Sequence, residues 1–124
     1  MKTSLPSQFK HEHKAWKRNL EYFTQENALL KYRLSEVVDN NEDNELLLMA
    51  EQFQNKLLLK DDFLKKLKQD LQELFDQLNR LENGKSIPER IGSRQDILRN
   101  DIIKFKNSFL HLSKEFNERM LQSR

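Results

Sequence analysis

Between residues 46 and 81 the apolar side chains recur at alternating steps of four and three: Leu46, Ala50, Phe53, Leu57, Leu64, Leu67, Leu71, Leu74, Leu78 and Leu81, with Lys60 as the one interruption of the register. That period lies between 3.5 and 3.6 residues per turn, so the stretch predicts a helix with a single apolar seam. Such a helix extends roughly 55 Å and is not stable in water without neighbours lying along it.

The flanking segments carry matching seams. Phe9, His13, Trp16, Leu20, Phe23, Asn27, Leu30, Leu34 and Val37 form the same alternation before it, predicting a first helix over about 7–38. Two members are polar. Both are candidate buried polar residues: Asn27, in mid-seam, is expected to fix register by pairing with another buried polar group, and His13 lies one turn from the helix end, within reach of water. Asp39-Asn40-Asn41-Glu42-Asp43 favours caps and turns and separates this helix from the second, expected over about 42–82 and stopped by Asn83-Gly84. The third helix has two candidate starts. Ser86-Ile87-Pro88-Glu89 reads as a capping box with Pro in the first turn, and Gly92-Ser93 offers a later start near Ser93, which is preferred because it keeps Gly92 out of the helix. Leu98, Ile102, Phe105, Phe109, Leu112 and Phe116 then carry the seam until Arg119 ends it; the helix is expected to stop near 121, with residues from Met120 onward frayed.

Three seams joined by short connections predict an all-α fold, an antiparallel up-down-up three-helix bundle with long coiled-coil-like helices in one domain over residues 1–124. Composition agrees with a thin bundle: 34% charged residues, 36% hydrophobic residues and only two Gly and two Pro leave much solvated helix surface and few turns.

The formal charge of +2 comes from 22 basic and 20 acidic residues of interspersed sign, which is not the footprint of a dedicated nucleic-acid binder. No cysteine is present, so disulfides, thiolate metal sites and cysteine nucleophiles are excluded together, and a reducing cytoplasmic location is expected. The first residues lack an apolar core of the signal-peptide kind, and no window approaches a transmembrane span.

Catalytic and metal chemistry find no foothold. His11 and His13 point in different directions on a helix and cannot share an ion; no Glu stands three residues before any histidine, and Glu115 and Glu118 beside His111 are ordinary surface spacings. Two glycines cannot build a phosphate-cradling loop, and adjacent acids such as Asp61-Asp62 read as a solvated face. No catalytic residue, metal, cofactor or small-molecule substrate is expected; a carboxylate and histidine metal-binding bundle stands as an alternative reading that these spacings do not favour.

The surface is more informative. Residues 40–82 hold ten acids against six bases, and residues 85–124 nine bases against five acids, so the second and third helices are complementary in charge. Arg90, Arg94, Arg99, Lys104 and Lys106 offer the alternative reading of a weak, salt-sensitive face for nucleic acid or an anionic membrane. A second, sparser apolar set stands off the seams: Tyr22 and Leu29 on the first helix, Leu48, Leu59 and Phe63 on the second, Ile103 and Leu110 on the third. Repetition on all three helices predicts a partner surface, for which a homodimer is the simplest occupant. The expected function is therefore that of a non-catalytic, homo-oligomeric adaptor, scaffold or stress-related binding protein.

With His11-Glu12-His13-Lys14-Ala15-Trp16 running through Leu20-Glu21-Tyr22-Phe23 to Leu34-Ser35-Glu36-Val37-Val38, the chain resembles small, uncharacterised all-helical proteins of Bacteroidota. The resemblance implies a free-standing bacterial protein and carries over no activity, ligand or catalytic residue.

Overall fold

A computed structural model describes residues 6–81 and 86–121. Helix α1 spans Pro6–Asp39, α2 Asn44–Asn79 and α3 Glu89–Phe116, and a π-helical turn, Asn117–Leu121, extends α3. The predicted stop at Asn83-Gly84 lies outside the described residues.

Contacts between side chains set the topology. His13 packs against Phe75 while Lys31 pairs with Asp61, so α1 and α2 run in opposite directions. Phe53 packs on Phe116 and Phe63 on Phe105, which makes α2 and α3 antiparallel as well. Phe23 meets both Phe105 and Phe109 between the parallel α1 and α3. The bundle is thus up-down-up, with α1 closest to α2 and more loosely set against α3. Trp16, Phe23, Phe105 and Phe109, larger than the leucines elsewhere, populate the α1/α3 side.

Each seam is the core. The buried residues of α1 are Phe9, His13, Trp16, Leu20, Phe23, Asn27, Leu30, Leu34 and Val37, residue for residue the stripe read from the sequence. In α2 the stripe from Leu46 to Leu78 is buried apart from Lys60, and Leu81 lies half-buried just beyond the helix. Full burial of each such leucine contributes roughly 1.5–3 kcal/mol relative to exposure. Lys60 is accommodated at the edge. Its ammonium hydrogen-bonds the Ser108 hydroxyl and lies 5.5 Å from the Phe105 ring centre, with burial holding its pKa below the ordinary value.

The ends follow local chemistry. Asp43 caps α2, its carboxylate accepting from the Glu45 N–H at 3.0 Å, and Glu45 adds negative charge to the first turn. Helix α3 begins at Glu89, the earlier of the two starts, and no side chain caps it; the Pro88 carbonyl accepts from the N–H groups of Ile91 and Gly92, both at 3.0 Å. The preference for Ser93 gave the helix cost of Gly92 more weight than the apolar burial of Ile91, one step of four before Gln95. At the other end the expected fraying of Met120 is incorrect. Met120 is 1% exposed, because it stands four residues after Phe116 and prolongs the same seam. Among the described residues no helix is long and apolar enough to cross a membrane.

Gly92 sits inside α3, and a methyl group added there would meet nothing within 4 Å. Gly92→Ala is expected to stabilise the fold by about 0.5–1 kcal/mol, measured by urea denaturation. A loss of stability instead would place the start of α3 beyond Gly92.

Candidate functional site

Three polar side chains occupy the core: His13, Asn27 and Gln95. His13 is 2% exposed, a buried polar residue as its seam position indicates; the rings of Trp16 and Phe75 cover it, so nearness to the helix end does not bring it to water. Its Nε2 lies 2.5 Å from the Gln95 side-chain oxygen. The Gln95 amide nitrogen in turn donates to Glu12 Oε1 at 2.8 Å, and Arg99 grips Glu12 through Nε and Nη2 at 2.8 and 2.7 Å. Asp96 holds the remaining arm of Arg99 at 2.6 Å, and the guanidinium lies over Trp16 at 5.8 Å.

This chain assigns protons. Glu12 only accepts, so Gln95 must turn its NH2 toward Glu12 and its oxygen toward His13; Nε2 of His13 therefore carries the hydrogen and donates. His13 Nδ1 is left as a buried lone pair with no partner. Burial holds the imidazole below its ordinary pKa of 6.5, opposed by the Gln95 bond and the Glu12 charge. The Arg99 hydrogen bonds hold the Glu12 carboxyl below its usual range. Gln95 stands between His13 and Glu12, so the arrangement is a polar relay that runs from the core to the rim and ties α1 to α3.

Gln95 was not among the residues anticipated. The signal was present three residues before Leu98, but starting the helix at Ser93 placed Gln95 in a first turn, where polar residues are routine. Asn27, by contrast, is fully buried as expected and donates to the Leu57 carbonyl at 2.9 Å and to Asp61 at 2.7 Å. Its partner carboxylate is half-exposed and also held by Lys31, while Asn27 Oδ1 has no partner.

All seven candidate surface residues are exposed, and the packing sorts them. Glu12 and Arg99 mark the flanks of α1 and α3 that face each other. Tyr22 and Leu29 lie one row outward from the Glu12 flank, while Ile103 and Leu110 follow Arg99 by four and eleven residues on the matching outward row. Because Phe23 sits at the level of Phe105 and Phe109, helical spacing orders these four residues along the outer α1/α3 side as Ile103, Tyr22, Leu110, Leu29. Leu59 and Phe63 belong instead to the α2/α3 side, where Phe63 meets Phe105, and Leu48 stands apart near the start of α2.

The basic residues of α3 are partly engaged. Arg94 donates to Gln77 at 3.0 Å and lies 3.6 Å from Glu73, and Arg99 is committed to Glu12 and Asp96. Among the described residues no group of three or more His, Asp and Glu side chains gathers where it could hold a metal ion. Comparisons with protein families, with curated proteins and with solved structures returned no match.

Two outcomes follow from the relay. Glu12→Ala and Asp96→Ala each remove one partner of Arg99, but only the former leaves buried Gln95 N–H groups unpaired, so it is expected to cost about 1–3 kcal/mol by denaturant titration. Asp96→Ala should stay within about 0.5 kcal/mol of the parent. The folded chain also keeps His13 neutral below the pH at which the unfolded chain protonates it. Its contribution to stability is complete above the unfolded value of 6.5 and is lost as the pH falls from there through the lower folded pKa. Urea midpoints between about pH 7.5 and about pH 5.5 should fall for the parent and fall less for His13→Leu combined with Gln95→Leu.

Proposed function

We propose that this chain is a non-catalytic interaction protein that associates through the exposed apolar residues on the α1/α3 side, with a second copy of itself as the simplest partner. The observation that carries this reading is the collection of Tyr22, Leu29, Ile103 and Leu110, each between 39% and 55% exposed, into one alternating strip although they come from helices distant in sequence. Scattered exposed leucines need no explanation, but an aligned strip with its aromatic and β-branched members outside the core supports a docking role. Pairing with a second copy would cover the strip on both molecules at once, because a two-fold interface uses the same face twice.

The alternative, electrostatic binding of nucleic acid or an anionic membrane through α3, is less well supported. Arg94 and Arg99 spend their donors within the bundle, which leaves Arg90, Lys104 and Lys106 dispersed along the helix.

Sedimentation equilibrium tests the preferred reading. The parent is expected to dimerise in the micromolar range, Ile103→Glu to be monomeric, and Leu59→Glu, on the α2/α3 side, to dimerise like the parent. A parent that stays monomeric at high micromolar concentration, or a Leu59→Glu chain that dissociates while Ile103→Glu does not, would overturn it. Tight retardation of nucleic acid at physiological ionic strength would favour the alternative.

A further inference from the structure

A second feature lies on the opposite flank of α1. His13, Leu20 and two turns of α2 carrying Leu71 and Phe75 line a groove of about 370 Å³ between α1 and α2, with Lys14, Lys17 and Lys68 at its rim. We propose that this groove binds a small monoanion with an apolar body, an aryl or alkyl carboxylate.

Shape and charge both point there. The apolar surface open to an incoming group is the Phe75 ring and the edge of Leu71, with the Gln72 side chain beside them; Leu20 and the His13 ring line the groove from beneath and are almost wholly buried. The volume lies at the lower end of the range of small-molecule sites, so the body it admits is a compact ring or a short chain. The rim carries three ammonium groups against the single carboxylate of Glu21. None of the three lysines forms an ion pair among the described residues.

The same edge of the bundle shows what closes such a groove. Farther along, Lys31 of α1 meets Asp61 of α2, and Asn27 ties the two helices together beneath that pair. At the His13 level both helices contribute lysines, like charges that repel across the gap and keep their heads in water. The pattern lacks one negative charge with an apolar stem at this position. A carboxylate seated among Lys14, Lys17 and Lys68, with its ring or chain against Phe75 and Leu71, supplies both.

Titration calorimetry with 1-naphthoate tests the site. One saturable equivalent per chain is expected, with roughly tenfold weaker binding of the neutral 1-naphthalenemethanol, as two partly exposed ion pairs together contribute about that factor. Lys17→Glu combined with Lys68→Glu should weaken naphthoate at least as much, whereas Lys104→Glu with Lys114→Glu, the same change of net charge on α3, should bind as the parent does. Proton NMR should move the His13 and Phe75 ring signals on addition of naphthoate and leave those of Tyr22 in place. No saturable binding, equal affinity for the acid and the alcohol, or equal losses in the two charge-reversed chains would overturn the proposal. Because Lys17 and Lys68 lie off the α1/α3 strip, the outcome is independent of whether the protein dimerises.

Discussion

The alignment of the bundle depends on the partners that three buried polar side chains find, even though His13 Nδ1 and Asn27 Oδ1 stay unpaired. Its core is one seam wide on each helix, and seams of leucine and phenylalanine repeat every heptad, so a neighbour displaced by one heptad would bury a similar apolar area. His13, Asn27 and Gln95 do not tolerate such a slide. A desolvated donor or acceptor without a partner costs about 1–3 kcal/mol, comparable to the burial of a leucine. The His13–Gln95 bond selects one alignment of α1 on α3, and the Asn27 bonds to the Leu57 carbonyl and Asp61 select one alignment of α1 on α2. The first is anchored from outside, since Glu12 orients Gln95 and Arg99 holds Glu12 at the rim. Surface pairs such as Lys66–Asp70 and Lys56–Glu115 are exposed and salt-screened and add little to that choice.

What a helix buries is legible from its own residues, and the three seams were read almost completely. The stripe of α1 needed no correction, because a helix that must bury one face announces it by period alone. The errors sit where two local rules compete. Gly92 argues for a helix end and Ile91 for a helix interior; burial of Ile91 at 3% exposure, together with Gln95, outweighs a glycine penalty near 1 kcal/mol. At Met120 the same competition recurs: the polar residues Glu118 and Arg119 argue for a frayed end, and the continuing step of four from Phe116 buries the side chain. The seam position of His13 marks it as buried, but position along the helix does not tell which rings shut it off from the water near the helix end.

The surface was legible only in part, and the reason is geometric. Sequence gives the angle of Tyr22 or Ile103 from its own seam but not which neighbouring helix lies on that flank. An up-down-up bundle can turn in either hand, and in the mirror arrangement the flank carrying Tyr22 and Leu29 would face α2, not α3. The Glu12–Arg99 pair resolves the hand, and with it the residues that were a scattered set of seven become a strip of four, a separate Leu59 and Phe63 pair and an isolated Leu48. The same limit hid the lysine-rimmed groove. Lys14 and Lys17 are unremarkable on α1, as Lys68 is on α2, until antiparallel packing sets them around one opening.

The strip and the groove occupy opposite flanks of α1, about 140° apart at a helical spacing of five residues, so filling one does not cover the other. They are nevertheless joined through the relay. His13 lines the groove with its ring, and the same ring hydrogen-bonds Gln95, whose other end holds Glu12 and Arg99 at the α1/α3 boundary. A ligand that accepts the His13–Gln95 geometry as it stands leaves that boundary unchanged, however tightly it binds. Only a ligand that binds better to a different ring position can alter the spacing of α1 and α3, since the shift in any equilibrium is bounded by the difference in affinity for its two states. The aromatic packing of Trp16 on His13 and of Phe23 on Phe105 and Phe109 opposes such movement, because dense interiors rearrange in discrete steps and do not deform smoothly. The two proposed surfaces are therefore expected to fill independently, with coupling between them confined to whatever displaces His13 from Gln95.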